Sequence, residues 1–118
     1  MNQYLIPTGR LKVENATGAA AIAASFAAAR PAQLISVTVK YSAAPTTSES
    51  LTVTKNANEG AAYDVVLLST DPASSAATSI VYQPDQPLWL EPGDSIDVAY
   101  TNTDTRTYGV LITLLECI

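Results

Sequence analysis

The fold is decided by a stretch of regular alternation in the first half of the chain, Ile35-Ser36-Val37-Thr38-Val39-Lys40-Tyr41. Apolar and polar residues take turns along it, and a period of two places the apolar side chains on one face of a β-strand. Such a strand is half-buried, with one face on a core and the other outside it. The stretch therefore predicts a β-sheet that packs through one of its faces.

The same period returns downstream and predicts further strands over residues 51–54, 96–101 and 108–114, with another short strand at 80–82. The run at 65–68 is continuously apolar, which predicts a strand covered on both faces. The last two strands are expected to form a hairpin, with the polar segment Asn102–Thr107 as its loop. Prolines and glycines fall between these strands in the rhythm of a β-sandwich or barrel.

The N-terminal part of the chain departs from this pattern. Between Gly18 and Arg30 alanine dominates, and Ile22 and Phe26 lie four residues apart, as they would on one face of a helix. This favours a short helix or an irregular arm, with a loosely packed strand as the alternative. We expect residues 1–118 to form a single all-β sandwich domain of about seven to eight strands, with residues 1–32 as an N-terminal arm and alanine-rich segment.

Composition limits the partners that such a domain can have. Charged residues make up 14% of the chain, against about 25% in an ordinary soluble domain, so the surface is rich in hydroxyl groups and alanine. The net charge of −5 repels phosphate backbones and the six cations are scattered, so nucleic-acid binding is not expected. The longest apolar run, Ala19–Ala29, is too short to cross a bilayer, and no membrane association is expected.

The chain lacks most of the residue types that catalysis uses. It has no histidine and only one cysteine, which excludes serine–histidine pairs, histidine metal sites and thiolate metal sites. Acid–base chemistry by Asp64, Asp94, Asp97 or Asp104 remains, as does a calcium site at Glu91, Asp94 and Asp97. Because a sandwich of this size has little room for a deep cleft, we expect neither an enzyme nor a cofactor.

Trp89 is the only tryptophan and lies between Leu88 and Leu90. On a strand it points away from both leucines, which leaves two interpretations. Either Trp89 lies in the core or at a subunit interface, or it is an exposed anchor for a sugar or a protein.

Four segments of the chain resemble small virion proteins of tailed bacteriophages. They are the segments SAAPTTSESLTV at 42–53, GAAYDVVL at 60–67, LEPGDSIDVAY at 90–100 and RTYGV at 106–110. The resemblance covers the chain from Gln33 onward. It implies a jelly-roll-like sandwich on the virion, and within that class the chain is most similar to capsid cement or decoration proteins.

The resemblance implies a homo-oligomer, expected as a homotrimer, that binds the major capsid protein at the capsid surface and stabilises the particle. The elements expected to contact the capsid or other subunits are Met1–Pro7, Gly18–Arg30 and Thr101–Thr107, which combine low charge with weak self-anchoring. The candidate interface residues are Tyr4, Ile6, Ile22, Phe26, Trp89, Asp104 and Arg106. The alternative function is a receptor- or carbohydrate-binding module of a tail fibre or spike, which requires Trp89, Tyr63 and Tyr108 to be accessible.

Overall fold

The computed structural model describes residues 9–117, which form an all-β fold. The described residues contain nine strands and a short 3-10 helix at Ala61–Tyr63. The strands are β1 (Gly9–Gly18), β2 (Ile22–Ala27), β3 (Ala32–Tyr41), β4 (Leu51–Asn56), β5 (Val65–Thr70), β6 (Ser79–Tyr82), β7 (Trp89–Leu90), β8 (Ser95–Tyr100) and β9 (Tyr108–Cys117).

The strands form two antiparallel sheets that pack face to face. Sheet I has the order β1-β9-β3-β6, and the two-residue strand β7 pairs with β3 further along it. Sheet II has the order β2-β8-β4-β5. The pairing is nested, since β1 pairs with β9, β2 with β8, β3 with β6, and β4 with β5. This is the strand order of a jelly roll, and the expected β-sandwich is confirmed.

One apolar core lies between the sheets. Sheet I contributes alternate residues of β3 and β9, and sheet II contributes alternate residues of β2, β4 and β8. The largest fully buried side chains are Tyr41, Ile22, Leu34, Leu51, Leu90, Ile96, Ile112 and Leu114. The apolar residues alternate along the sequence because every second side chain of these strands is buried between the inner faces of the two sheets.

The prediction of a helix or irregular arm at 18–30 is wrong, because this segment contains β2, one of the two edge strands of sheet II. Ile22 and Phe26 are 2% and 7% exposed in the core. A spacing of four residues is even, so it places two side chains on the same face of a strand as well as of a helix. From residue 9 onward, the stretch assigned to the arm forms β1 and β2, an edge strand of each sheet.

The expected hairpin of the last two strands is also wrong. β8 pairs with β2 and β4 in sheet II, whereas β9 pairs with β1 and β3 in sheet I. The two strands face each other across the core, and the loop between them crosses from one sheet to the other. Both have an apolar face, and opposed sheets bury those faces against each other.

Two further details differ from the alternation pattern. The strand at 65–70 is not covered on both faces, because β5 is an edge of sheet II and Val65 and Val66 are 51% and 61% exposed. In β3 an irregularity in the register between Leu34 and Ser36 shifts Ile35 out of the inward row, and Leu34 takes its place in the core.

Candidate functional site: the outer face of sheet I

The face of sheet I that points away from the core is apolar and exposed; we call it the outer face of sheet I. Most of the large apolar side chains exposed in residues 9–117 lie on it. They are Leu11 (66% exposed), Val13 (54%), Val81 (60%), Trp89 (54%) and Leu111 (43%). A contiguous apolar surface on a monomer typically marks a contact with a partner.

The strand register brings these side chains together in rows that cross the sheet. Leu11 pairs with Leu115, Leu115 with Gln33, and Gln33 with Trp89, so one row runs over β1, β9, β3 and β7. A second row consists of Asn15, Leu111, Thr38 and Val81. Among the outward positions of these described strands, the only charged residue is Lys40, which lies at one end of the face. The outer face of sheet I is therefore nearly uncharged on a chain of net charge −5.

β1 has the reverse of the usual distribution of apolar and charged residues. Its apolar residues Leu11 and Val13 point outward, while Lys12 and Glu14 point toward the other sheet and are only about a third exposed. A free edge strand would gain more from the opposite arrangement, because burial of Leu11 and Val13 would remove apolar surface from water. The orientation of β1 is explained if a partner covers its outward side.

The inward charges of β1 are compensated by a glutamate of β9. Glu116 is only 3% exposed, and its Oε1 accepts a hydrogen bond from Arg10 Nε at 3.2 Å. Lys12 Nζ lies 3.7 Å from the other carboxylate oxygen of Glu116 and 3.7 Å from Glu14 Oε1. Two cations beside one buried carboxylate hold β1 in its orientation, because a slip by one residue would leave Glu116 buried and unpaired.

The candidate loop residue Asp104 has a structural role at the opposite end of the sandwich from Trp89. Its carboxylate accepts hydrogen bonds from the hydroxyl of Thr47 (2.7 Å) and from the backbone N–H groups of Thr47 (2.9 Å) and Thr46 (2.6 Å). These bonds hold the pKa of Asp104 below its usual range. Asp104 therefore ties the β8–β9 loop to the β3–β4 loop.

The side chain of Asn102 stabilises the same loop through hydrogen bonds to its backbone. Its backbone has φ of 56°, and its Nδ2 donates to the carbonyl oxygens of Ala20 (2.8 Å) and Arg106 (2.9 Å). The backbone N–H of Arg106 donates to Asn102 Oδ1 at 3.0 Å. The Nε of Arg106 is buried and finds no hydrogen-bond partner among the described residues. The loop containing Asp104 and Arg106 is thus a fixed part of the fold.

Two more carboxylates, those of Glu49 and Asp71, lie at this end of the sandwich. Glu49 accepts from the backbone N–H (3.1 Å) and the hydroxyl of Thr103, and Asp71 accepts from the hydroxyl of Ser48. The pKa of the buried Tyr100 is raised, first by its burial and then by the negative charges of Glu49, Asp104 and Asp71. Each carboxylate has local donors, and the described residues contain no cluster of three or more acidic, histidine or cysteine side chains suited to a metal ion.

Asp94 accepts the hydrogen bonds that join two loops at the other end of the sandwich. It is 1% exposed; its Oδ1 accepts from the backbone N–H of Asn58 at 2.8 Å and its Oδ2 from that of Glu91 at 2.9 Å. Asp97 instead accepts from the hydroxyls of Ser25 (2.7 Å) and Ser95 (3.0 Å). Two residues of the possible calcium site, Asp94 and Asp97, therefore bind separate donors.

The outer face of sheet II offers only shallow depressions. One, of about 320 Å³, is lined by Ala21, Ile22, Ser50, Thr52, Ala99, Tyr100 and Thr101. Another, of about 250 Å³, is lined by Ala23, Ala24, Ser25, Asp97, Val98 and Ala99. Asp97 is the one carboxylate among these lining residues. Neither provides the two facing carboxyl groups that glycoside hydrolysis uses.

The structure separates the candidate interface residues rather than joining them in one site. Tyr4 and Ile6 lie outside the described residues. Ile22 and Phe26 are core residues, so their side chains pack within the chain itself. Trp89 is exposed on the outer face of sheet I and does not lie in the core. Asp104 and Arg106 belong to the loop at the far end of β3 from the pairing partner of Trp89.

Sequence reasoning missed the apolar residues that make up most of the outer face, above all Leu11 and Val13. A signal was present, because Leu11-Lys12-Val13-Glu14 alternates with a period of two. The alternation alone would have placed Leu11 and Val13 in the core and the charges in solvent, which is the reverse of their positions. Only the pairing of β1 with β9 decides which side faces outward.

Comparison of the chain with models of known protein families and with curated proteins finds no match.

Proposed function

We propose that this protein is a virion structural protein of a tailed bacteriophage, a capsid cement or decoration protein that binds the major capsid protein at the capsid surface. It acts by adding contacts between neighbouring capsomers, and those contacts must break before the shell can rupture under its packaged DNA. Many weak contacts reinforce one another in such a lattice through multivalency. The proposal includes no catalytic step, no cofactor, no nucleic acid and no membrane.

The observation that carries the proposal is the exposed, nearly uncharged outer face of sheet I. It combines Leu11, Val13, Leu111 and Trp89 on one face of a five-stranded sheet. Hydrophobic side chains at the centre of an interface supply most of its free energy, and an exposed tryptophan is a frequent anchor. The jelly-roll order and the resemblance of segments 42–53 and 90–100 to phage virion proteins support the same assignment.

The acidic side chains of the loops and strands have local hydrogen-bond donors. Asp64, Asp94, Asp97 and Asp104, the carboxylates considered for acid–base chemistry, each accept hydrogen bonds from loop or strand donors. Within the described residues, no helix has the length and apolar character needed to span a bilayer.

The oligomeric state in this proposal is a homotrimer. In a cyclic trimer a patch of each subunit contacts a different patch of the next, and weak self-association is reinforced when all subunits bind one lattice. The measurement is the mass in solution, expected as three times 12.4 kDa. A monomer that also binds capsids as single copies would contradict this part of the proposal.

The test of the function is reconstitution onto particles that lack this protein. We expect stoichiometric binding at a multiple of the capsomer number and a higher temperature of DNA release. Trp89→Ala and Leu11→Ser should reduce binding, because both remove apolar contact area from the outer face. Ser25→Ala and Thr54→Ser, on the outer face of sheet II, are matched controls that should bind normally. If all four variants bind alike, the outer face of sheet I is not the docking surface.

A second candidate function is carbohydrate or receptor recognition, favoured by two exposed aromatic side chains. Trp89 and Tyr63 are 54% and 65% exposed, whereas Tyr108 packs against the core. Aromatic side chains of this kind stack on sugars. Binding of the protein to host surface glycans, lost in both Trp89→Ala and Tyr63→Ala and accompanied by no binding to capsids, would favour this function over the first.

A further inference from the structure

We infer that the free edge of β1 pairs with β1 of a second copy of this chain, antiparallel and about a twofold axis at Val13. The contact uses the rim of sheet I and leaves the outer face of sheet I exposed. It goes beyond the proposed function, because it holds whatever partner the outer face binds. Two five-stranded sheets become one continuous sheet across the axis.

β1 is the longest free sheet edge in the part of the chain that the structure describes. It has ten residues, whereas the other terminal strands of the two sheets, β2, β5 and β6, have six, six and four. It contains no proline, and its pairing with β9 runs from Gly9 to Gly18 without a register shift. Every second residue directs its N–H and C=O groups away from β9. Such an uninterrupted row is a template for another strand.

The charges of β1 select one register for this pairing. Side chains directly opposite each other share a face, so a register centred on a residue of β1 keeps both outer faces on the same side. Centred on Val13, it places Lys12 opposite Glu14 of the second copy, and Glu14 opposite Lys12. Centred on Lys12 or Glu14, it places like charges opposite each other, and centred on Leu11 it places Arg10 opposite Lys12. Registers centred nearer either end pair fewer residues and no opposite charges.

This register also accounts for the inward charges on a free edge. Such charges normally prevent pairing, because a partner strand would cover them without compensation. Lys12 and Glu14 are only about a third exposed, and Glu14 Oε2 is buried with no hydrogen-bond partner among residues 9–117. Lys12 of the second copy lies opposite Glu14 and supplies a cation for this oxygen. Pairing is thus compensated in the register centred on Val13 and opposed with an unrelated strand.

The outward side chains match across the same axis. Val13 lies opposite Val13 of the second copy, and Leu11 is the diagonal neighbour of that valine. Leu11 and Val13 are 66% and 54% exposed, so their contact removes apolar surface from water in both copies. The outer faces of the two copies become continuous across the axis.

The twofold contact is additional to the contacts of the proposed trimer, because a cyclic trimer contains no twofold axis. β1 pairing therefore joins copies from neighbouring trimers. The net charge of −5 on each copy opposes association, but charges more than about 8 Å apart are screened at physiological salt. β1 itself carries two cations and one carboxylate, so negative charges do not meet at the contact.

The test is disulfide crosslinking between copies of the whole protein. Cys117→Ser first removes the native thiol, which is exposed. In that background Val13→Cys places two thiols opposite each other at the axis, with Cβ atoms about 4.5–5.5 Å apart. Leu11→Cys is the matched control on the same exposed side, because Leu11 lies opposite Asn15 of the second copy and the two Leu11 positions are about 13 Å apart along the strand.

We expect about tenfold more covalent dimer from Val13→Cys than from Leu11→Cys under mild oxidation, since a disulfide requires close Cβ atoms. Equal yields, or no dimer from either, would overturn the inference. A mixture of Leu11→Cys and Asn15→Cys should crosslink between the two variants. If Val13→Cys crosslinks and this mixture does not, the register is wrong and the inference fails.

Sedimentation of the free protein gives a second readout, in which a rise in concentration should double the mass of the dominant species. Glu14→Lys places cations opposite each other at two symmetric positions and should weaken this step about tenfold. Glu59→Lys makes the same charge change at an exposed residue of the β4–β5 loop and should not weaken it. If both variants associate alike, the inference is overturned; if Glu14→Lys does not fold, crosslinking decides. Pairing without capsid binding would overturn the proposed function alone, and capsid binding without pairing would overturn this inference alone.

Discussion

Asp94→Ala should destabilise the protein more than any other single change to an acidic loop residue. The carboxylate of Asp94 is 1% exposed and accepts one backbone hydrogen bond at each oxygen, from Asn58 and from Glu91. Lys55 Nζ lies 3.8 Å from Oδ2. The variant therefore removes the common acceptor that joins the β4–β5 loop to the start of β8.

The magnitude follows from the bonds that are lost. A hydrogen bond to a charged group contributes about 1.5–3 kcal/mol, and two are removed. Asn58 and Glu91 are exposed, so water can reach the released N–H groups, which places the expected loss at the lower end, about 2–3 kcal/mol in all. For a domain of this size, about 1 kcal/mol corresponds to about 4 °C, and Tm should fall by about 8–12 °C.

The dependence on pH gives a second check. Burial raises the pKa of Asp94, but the N–H groups of Asn58 and Glu91 and the nearby Lys55 outweigh it, and the net pKa lies below its ordinary value. Because the pKa of Asp94 is lower in the folded than in the unfolded chain, its carboxylate stabilises the fold at pH values above the unfolded pKa of about 3.9. This stabilisation is lost as the pH falls through the folded pKa. The Tm difference between Asp94→Ala and the unmodified protein should therefore be constant near neutral pH and shrink below about pH 4.

The assay is thermal unfolding followed by circular dichroism between pH 3 and pH 7. Asp85→Asn, at an exposed aspartate of the β6–β7 loop, controls for the loss of one negative charge and should change stability by less than about 0.5 kcal/mol. If Asp94→Ala and Asp85→Asn unfold at the same temperature, the carboxylate of Asp94 does not hold the two loops together and the reasoning is refuted.

Three further changes test other parts of the fold. Phe26→Ala should cost about 3 kcal/mol in urea unfolding, because the ring is 7% exposed in the core and its loss leaves a cavity. Asn102→Ala should cost about 1–2 kcal/mol in the same measurement, because the bonds to Ala20 and Arg106 are lost. Asp104→Asn should flatten the fall of Tm below about pH 4, since the lowered pKa of Asp104 stabilises the fold only while the carboxylate is ionised.

Each of these changes has a control at a neighbouring or chemically similar position. Ala23→Ser lies on the exposed side of β2 and should leave stability nearly unchanged; a loss equal to that of Phe26→Ala would mean that β2 is not packed through its Phe26 side. Asn102→Gly keeps the positive φ but not the side-chain bonds, so stability equal to that of the unmodified protein would show that the bonds contribute nothing. An unaltered pH profile in Asp104→Asn would exclude Asp104 as a source of acid sensitivity.

The all-β class and most strand positions were predictable because the period of two is a local property. In β3, β8 and β9 the alternation of neighbouring residues is enough to predict an apolar face on the strand. It does not specify which sheet buries that face. Prolines and glycines between the strands reinforce the same prediction. For the candidate site, the sequence identified Trp89 as the one aromatic residue whose orientation had to be decided, whereas the loop containing Asp104 and Arg106 lies at the other end of the sandwich.

The sequence by itself thus determined which residues alternate, whereas the tertiary structure decided what each face meets. The residues of β8 and β9 are as compatible with a hairpin as with opposed sheets, and pairing with β2 and β1 chose the latter. Ile22 and Phe26 suited one face of a helix, but pairing with β8 makes this segment a strand and places both side chains in the core. Leu11 and Val13 point outward because Glu116 holds the charges of β1 on the inner side. The reason is physical: alternation specifies an apolar face through neighbouring residues, but the partner of that face comes from a distant part of the chain and is set by the packing of the whole sandwich.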